Sequence, residues 1–199
     1  METNIKICVG IPTYGTIKSK TALALMETIN KNKDIEFFPV FCHGGYIAEN
    51  REKIVRIAQD TFCSHIFFVD HDMKFTGDTV RKLLDDDKDV VGVLYNCRYL
   101  PLTSTTLFYG KGGKDDVYTH DVPETKDLIE VPVVGAGCML IKTTVFLNLT
   151  RPYFPMENDD DGNRVVTEDA GFCKKVRESG SKVWCDLSIN CLHIGDYEF

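Results

Sequence analysis

The first half of the chain alternates short strand-like runs with helix-like segments, and this alternation constrains the fold more than any other feature. The predicted strands cover 5–11, 36–41, 65–69 and 90–95, and the predicted helices cover 19–30, 47–60 and 78–85. The strand runs are almost wholly apolar, whereas the helices repeat apolar residues every three or four positions. This order favours a parallel sheet covered by helices on both faces. We therefore predict an α/β fold with a single mixed, mostly parallel sheet flanked by helices.

The second half is less regular. Residues 97–130 show no clear period and are interpreted as a hairpin-rich insertion, and a strand is predicted over 131–141. A short helix over 143–149, a polar loop over 151–164, a helix over 168–179 and a strand over 182–187 follow. The chain has 199 residues, the length of one ordinary globular domain, so we predict a single domain, 1–199.

Composition excludes some classes of protein. The net charge of -7 argues against a nucleic-acid binder, which needs a basic face to displace counterions from phosphates. No apolar run reaches the length of a membrane span, and no signal peptide is visible. The eight cysteines form no C-x-x-C pair and mostly stand alone in apolar runs, so we interpret them as buried thiols of a reducing compartment. The expected location is the cytoplasm.

The strongest candidate for chemistry is Asp70-His71-Asp72, which directly follows the predicted strand 65–69. Ligands of open parallel sheets bind outside the carboxyl ends of the strands. Two carboxylates at that position suit a hard cation such as Mg²⁺ or Mn²⁺. The structural alternative is an ordinary polar turn.

Three further groups carry polar side chains at element ends. Glu168-Asp169 opens a helix, where capping is the alternative interpretation. His193 precedes Ile194-Gly195 and could reach a metal at the sheet edge, although a lone histidine is often structural. Asn50-Arg51 lies in a helix that follows Gly44-Gly45, and glycines before a helix can cradle a phosphate.

Taken in order, these residues resemble the motifs of GT-A-fold glycosyltransferases, near the family-2-like group and its compact phage and large-DNA-virus versions. The resemblance covers nearly the whole chain. Each motif alone is unspecific, but the same order of several motifs is not. The matching runs are Val9–Tyr14, Asn50–Arg51, Asp70–Asp72, Gly135–Ile141, Glu168–Asp169 with Phe172–Cys173, Gly180 with Trp184–Asp186, and His193–Gly195.

The resemblance implies a nucleotide-binding half, 1–96, and an acceptor-side half, 97–199. The residues expected to bind the nucleotide sugar are Pro12, Thr13, Tyr14, Asn50, Arg51, Asp70 and Gly137. Asp72 and His193 are the expected ligands of Mn²⁺ or Mg²⁺, while Asp70 is a further metal candidate that contacts the ribose or a metal-bound water. His71 is expected to be a spacer.

The same resemblance implies a reaction. A sugar moves from a nucleoside-diphosphate sugar, most commonly a UDP-sugar, to a glycan, glycoprotein or other hydroxyl acceptor. Asp169 is the expected base, with Glu168 orienting it or the acceptor, and inversion at the anomeric carbon follows from a base opposite the leaving diphosphate. The metal stabilises the leaving group. The expected class is a hexosyl- or deoxyhexosyltransferase of viral type.

Three alternatives remain open. A retaining enzyme of this fold also uses an Asp-x-Asp and a late histidine. A sugar-nucleotide nucleotidyltransferase should carry a glycine-rich, basic loop after the first strand, and 12–18 lacks that glycine density. A non-enzymatic carbohydrate or nucleotide module is the third. The Gln-x-x-Arg-Trp motif of processive synthases is absent, which favours single transfer, and acceptor recognition could lie on further domains of a longer polypeptide.

Overall fold

The computed structural model describes residues 5–110 and 118–195, apart from the side chain of Arg164. The helices are α1 (Ser19–Lys31), α2 (Ile47–Asp60), α3 (Thr79–Asp85) and α4 (Glu168–Glu178), with a 3₁₀ helix at Thr143–Asn148. The strands are β1 (Lys6–Pro12), β2 (Glu36–Cys42), β3 (His65–Val69), β4 (Met73–Lys74), β5 (Val90–Val93), β6 (Phe108–Tyr109), β7 (Tyr118–Thr119), β8 (Leu128–Glu130), β9 (Cys138–Lys142), β10 (Glu157–Asn158), β11 (Arg164–Val166), β12 (Val183–Asp186) and β13 (Leu192–His193).

Seven strands form the central sheet in the order β2-β1-β3-β9-β5-β12-β8. β2, β1, β3, β5 and β12 run in one direction, and only β9 and β8 oppose them. The predicted mixed, mostly parallel sheet is therefore confirmed. β9 is shorter than the strand predicted over 131–141, because the buried stretch before Cys138 is irregular. Pro132 has no backbone N–H to donate to a neighbouring strand. Gly135 and Gly137 pack against Tyr95.

Helices cover both faces of the sheet. Successive strand residues point to opposite faces, so Phe67 contributes to one core and Phe68 to the other. The Phe68 core is closed by α2 and α4, with Phe154 stacked on Phe172 at a centroid separation of 4.8 Å. The Phe67 core is closed by α1 and α3.

The sequence of helix α1 indicates an apolar stripe of Ala22, Leu25, Met26 and Ile29, but only part of that stripe faces the protein: Leu25 packs partly buried against the core. The buried residues of the helix are Thr21, Ala24 and Thr28, whereas Met26 is 62% exposed. The threonines face inward because they satisfy backbone acceptors: the Thr21 hydroxyl donates to the carbonyl of His71 at 3.1 Å. A contact with the turn after β3, not hydrophobic burial alone, sets the rotation of this helix.

Strand direction brings the candidate residues to one edge. β1, β2 and β3 are parallel and end together, and antiparallel β9 begins there, with Val69 paired to Cys138. The N–H of Asp70 donates to the carbonyl of Gly137 at 3.0 Å. The pairing of β13 with β4 sets His193 opposite Met73, and the N–H of Ile194 donates to the carbonyl of Asp72 at 2.7 Å.

The eight cysteines, all within the described residues, are free thiols, and only Cys97 is not buried. Burial raises the pKa of Cys8, Cys173 and Cys185 to about 12, so these thiols stay protonated and pack as small apolar groups. The prediction of buried thiols is confirmed. In the described ranges, no helix combines the length and apolarity needed to cross a membrane.

Candidate active site

A cleft of about 100 Å³ opens at this edge of the sheet. Its wall is built from five separate segments: the turn after β1, the start of α2, the turn after β3, the segment that follows β5, and β13. The residues lining it are Pro12, Thr13, Tyr14, Ile47, Asn50, Asp70, His71, Asp72, Arg98 and His193. Most of the residues predicted to bind a nucleotide sugar or a metal thus line a single cleft.

Asp72 is the most enclosed acidic group in this cleft, with a side chain only 3% exposed. Its Oδ2 accepts from Nη1 of Arg98 at 2.5 Å, and Nε2 of His71 lies 3.8 Å from the same oxygen. Burial alone would raise the pKa of Asp72. The hydrogen bond from His193 and the charges of His193, His71 and Arg98 outweigh it, so the pKa lies below its usual range and the carboxylate is ionised.

His193 meets the other oxygen of Asp72, with Nε2 3.4 Å from Oδ1. Its Nδ1 lies 3.2 Å from the carbonyl oxygen of Asn96, which can only accept, so Nδ1 carries a hydrogen. In a neutral ring, Nε2 is then an acceptor that faces a carboxylate. A proton on Nε2 removes this opposition and provides the hydrogen bond that lowers the pKa of Asp72, and a cation shared by both atoms also removes it.

A divalent cation fits this pair of donors. Adjacent ligands of an octahedral ion with bonds of about 2.1 Å lie about 3 Å apart, close to the 3.4 Å between Asp72 Oδ1 and His193 Nε2. Mn²⁺ accepts both carboxylate and imidazole. In the described part of the chain, no group of three or more His, Cys, Asp or Glu side chains is arranged to hold a metal. Phosphate and water oxygens would therefore have to complete the shell, and the metal site stays a prediction.

Asp70 belongs to a buried ionic group behind the cleft. Its Oδ1 accepts from Nη2 of Arg51 at 2.9 Å. The Arg51 side chain is 1% exposed, donates from Nη1 to the carbonyl of Ala136 at 3.2 Å, and has its guanidinium 5.2 Å from the Phe68 ring centre. Its Nε lies 3.5 Å from Oε1 of Glu168, an ion-pair separation without a hydrogen bond.

This arrangement changes the role expected for Arg51. It does not line the cleft and is too deeply buried to meet a nucleotide there without a rearrangement. Instead it links Asp70 after β3 to Glu168 at the start of α4. Burial raises the pKa of Glu168, and the nearby charge of Arg51 opposes that shift.

Tyr95 and Gly137 fix the opposite side of Asp70. The Tyr95 hydroxyl accepts from the Gly137 N–H at 2.8 Å. A Cβ on Gly137 would stand 2.6 Å from that hydroxyl and 3.0 Å from Oδ2 of Asp70, so this close approach requires glycine. Burial, followed by the charges of Asp70 and Asp169, raises the pKa of Tyr95 well above its usual value and keeps the hydroxyl protonated.

Asp169, the predicted base, does not line the 100 Å³ cleft. It stands in the first turn of α4, where its Oδ1 accepts from the Thr167 hydroxyl and from the Ala170 N–H. Its charge acts on both Arg51 and Tyr95, so it lies within electrostatic range of the Asp70 side of the site. Asp169 itself is partly exposed.

The cleft continues into two wider depressions. One, of about 700 Å³, is reached past Tyr14 and Ile47 and includes Tyr46; Tyr14 is 81% exposed and Tyr46 is 72% exposed. Asn50 lines the cleft together with Tyr14 and the acidic turn, and its side-chain amide donates to the Gly45 carbonyl at 3.3 Å. Its Oδ1 is buried and has no hydrogen-bond partner, so an acceptor is left for a ligand at the cleft.

The second depression, of about 640 Å³, lies on the Arg98 side and includes Lys18 and His193.

Sequence reasoning missed Arg98 and Tyr95. Both follow β5, and the rule that ligands bind beyond the carboxyl ends of parallel strands could have marked this segment. His71 is more than a spacer, because it faces Asp72 and makes an edge contact with the Tyr14 ring at 5.8 Å.

Comparison with known proteins defines a class of fold. No protein-family model matches the sequence, and no curated protein matches it. Among solved structures, the neighbours have glycosyltransferase-like α/β folds, which confirms the predicted fold class.

A particular example is the crystal structure of A197 from STIV, with a TM-score of 0.63 and 19% identity over 96% of this chain and 86% of that chain. S. aureus TarS gives a TM-score of 0.47 and 16% identity over 90% of this chain and 35% of its own length. At these identities the likeness concerns the fold and not the reaction.

Proposed function

We propose that the chain is a glycosyltransferase that moves a sugar from a nucleoside-diphosphate sugar to a hydroxyl group of a glycan or glycoprotein. The observation that carries the proposal is the meeting of Asp72, His193 and Arg98 at the end of the cleft that Asn50 and Tyr14 also line. A diphosphate needs positive charge and a nucleoside needs an apolar wall with hydrogen-bonding groups. This cleft has both kinds of surface.

The nucleoside is assigned to the Tyr14 end. Exposed aromatic rings can stack on a base, and the unpartnered Oδ1 of Asn50 can accept from an N–H or O–H of the nucleoside. UDP is the proposed nucleotide, since it is the common donor in the enzymes that the sequence resembles. The diphosphate is assigned to the Asp72 end, where Arg98 and Lys18 supply positive charge.

Asp72 and His193 would hold Mn²⁺ or Mg²⁺ together with the diphosphate. When bound, the ion supplies Lewis-acid stabilisation of the negative charge that develops on the leaving group. Asp70, held by Arg51, is fixed beside the Gly137 backbone and forms the floor against which the ribose or donor sugar would lie.

Asp169 is the proposed base. A sugar hydroxyl is a weak nucleophile and needs a carboxylate within hydrogen-bond reach to take its proton. The Thr167 hydroxyl and the Ala170 N–H fix one oxygen of Asp169, which leaves the other free to accept that proton. Glu168 and Arg51 hold the start of α4 against the Asp70 turn. This arrangement favours inversion, and NMR of the new anomeric linkage would identify retention instead.

A thermal-shift panel of sugar nucleotides with and without Mn²⁺ tests the proposal. A ligand present at about 100 times its Kd stabilises a protein by about 2.7 kcal/mol, which is about 5–10 °C in a domain of this size. We expect one donor to raise Tm in the presence of Mn²⁺. Asp72→Asn should abolish this shift, whereas Asp34→Asn, an exposed carboxylate paired to Arg81 elsewhere, should keep it.

Turnover is then measured as donor hydrolysis and as transfer to candidate hydroxyl acceptors. No shift and no turnover with any sugar nucleotide would contradict the proposal. Donor binding without hydrolysis or transfer would favour a binding module. Release of pyrophosphate from a nucleoside triphosphate and a sugar phosphate would identify a nucleotidyltransferase.

A further inference from the structure

Arg98 holds an unusual position relative to the candidate metal ligand. Its guanidinium is ion-paired with Asp72, yet its side chain is 49% exposed, whereas that of Asp72 is only 3% exposed. The pair therefore joins a fixed, buried anion to a cation that reaches it from the cleft surface. Arg98 lines both the 100 Å³ cleft and the 640 Å³ depression, so it borders the space on both sides of this pair.

The two carboxylates of the acidic turn are neutralised in different ways. Asp70 is paired with Arg51, whose side chain is 1% exposed and also bound to the Ala136 carbonyl and Glu168. Arg98, in contrast, is paired with Asp72, and among residues 5–110 and 118–195 it has no second ion pair. Loss of the Asp70 pair would strand a buried guanidinium, whereas the Arg98 head can turn toward solvent or toward an anion in the cleft.

A cation shared by Asp72 Oδ1 and His193 Nε2 would approach a carboxylate whose charge Arg98 already balances at Oδ2. The guanidinium and the metal would repel one another across that carboxylate. A diphosphate removes this conflict, because its oxygens can complete the metal shell and offer Arg98 a second anionic partner.

We propose that Arg98 is an exchangeable counter-ion: it opposes metal binding at Asp72 on its own and transfers to the diphosphate when nucleotide and metal bind together. The part of this inference that concerns the diphosphate rests on the proposed function. Its consequence is positive coupling, in which each ligand binds better in the presence of the other. Arg98 therefore acts on the metal only through Asp72, whereas it contacts the diphosphate directly.

The test measures Mn²⁺ alone, by titration calorimetry or by the EPR signal of free Mn²⁺, and then UDP with and without Mn²⁺. In Arg98→Met, Mn²⁺ alone should bind about 5-fold more tightly or better, and UDP with Mn²⁺ about 5-fold more weakly or worse, the low end of ordinary coupling energies. Arg98→Lys keeps the charge and should stay within about 3-fold of wild type for Mn²⁺ alone. Arg81→Met, which removes an arginine from the Asp34 pair, should change neither.

Opposite signs for the two ligands separate this role from a purely structural one, which would weaken both. Unchanged or weaker binding of Mn²⁺ alone by Arg98→Met would overturn the counter-ion role, even if UDP binding fell. A third outcome is that Arg98→Met binds Mn²⁺ more tightly but neither wild type nor any variant binds a nucleoside diphosphate. That outcome would overturn the transfer of Arg98 to the diphosphate, together with the proposed function. Circular dichroism and Tm of each variant check that it is folded.

Discussion

Arg51 offers the sharpest test of how the site is held together. Its guanidinium is the shared counter-charge of Asp70 and Glu168, and it lies wholly inside the protein. Arg51→Met keeps a long apolar side chain over the Phe68 ring but removes the charge and its donors. The carbonyl of Ala136 also loses a partner.

The expected cost follows from burial. Removing one partner of a buried ion pair leaves an uncompensated charge, which costs about 3–5 kcal/mol. In a domain of this size, that is a fall in Tm of roughly 6–20 °C. Arg81→Met is the matched control, because the Arg81–Asp34 pair is surface-exposed and such pairs contribute about 0–1 kcal/mol.

The loss should depend on pH. Burial already raises the pKa of Glu168, and removing Arg51 takes away a charge that lowers it. A carboxyl whose folded pKa lies above its unfolded value costs stability above the folded pKa, and that cost disappears as the pH falls toward the unfolded value. The deficit of Arg51→Met should therefore be largest near pH 7.5 and shrink by at least about 1 kcal/mol toward pH 4.5.

Urea unfolding of wild type, Arg51→Met and Arg81→Met at both pH values measures these free energies. Arg51→Met combined with Glu168→Gln should recover part of the loss at pH 7.5, since one buried charge is gone. The reasoning is refuted if Arg51→Met costs less than about 1 kcal/mol, or if its cost is the same at both pH values.

Three other substitutions probe the site from different sides. Asp169→Asn should lower kcat about 10²–10⁴-fold and leave donor affinity unchanged; near-full turnover would remove Asp169 as the base. Gly137→Ala places a methyl group 2.6 Å from the Tyr95 hydroxyl and should cost about 1–3 kcal/mol in urea unfolding, whereas an unchanged midpoint would mean that this contact relaxes freely. Tyr95→Phe leaves the buried Gly137 N–H without its acceptor and should cost about 1–3 kcal/mol, measured in the same way.

Much of the fold could be predicted because local pattern and tertiary structure agree. The helix predicted over 47–60 and the strand predicted over 65–69 have those bounds in the structure. Helix α1 has almost the predicted bounds, but its most buried residues are Thr21, Ala24 and Thr28 and not the apolar stripe. Hydrophobic periodicity carries no information about the carbonyl of His71, which draws Thr21 inward.

The part of the site that the fold rules alone predict lies at the ends of parallel strands. Residues at the ends of β1 and β3 come together because parallel strands end at one edge. The contact of Arg98 with Asp72 depends on the path of the irregular segment after β5, which has no periodicity to read. The burial of Arg51 likewise depends on where α4 packs, far away in sequence.

The Asp-x-Asp spacing by itself does not say which carboxylate can bind a ligand, because both belong to one turn. Their counter-ions distinguish them. Asp70 is paired with an arginine that is 1% exposed, and Asp72 with one that is 49% exposed. Only in the second pair can the guanidinium leave its carboxylate without becoming a buried, unpaired charge itself. A metal or a diphosphate that entered the cleft, as we propose, would therefore act on Asp72 and Arg98, while Asp70 and Arg51 would keep the shape of the floor.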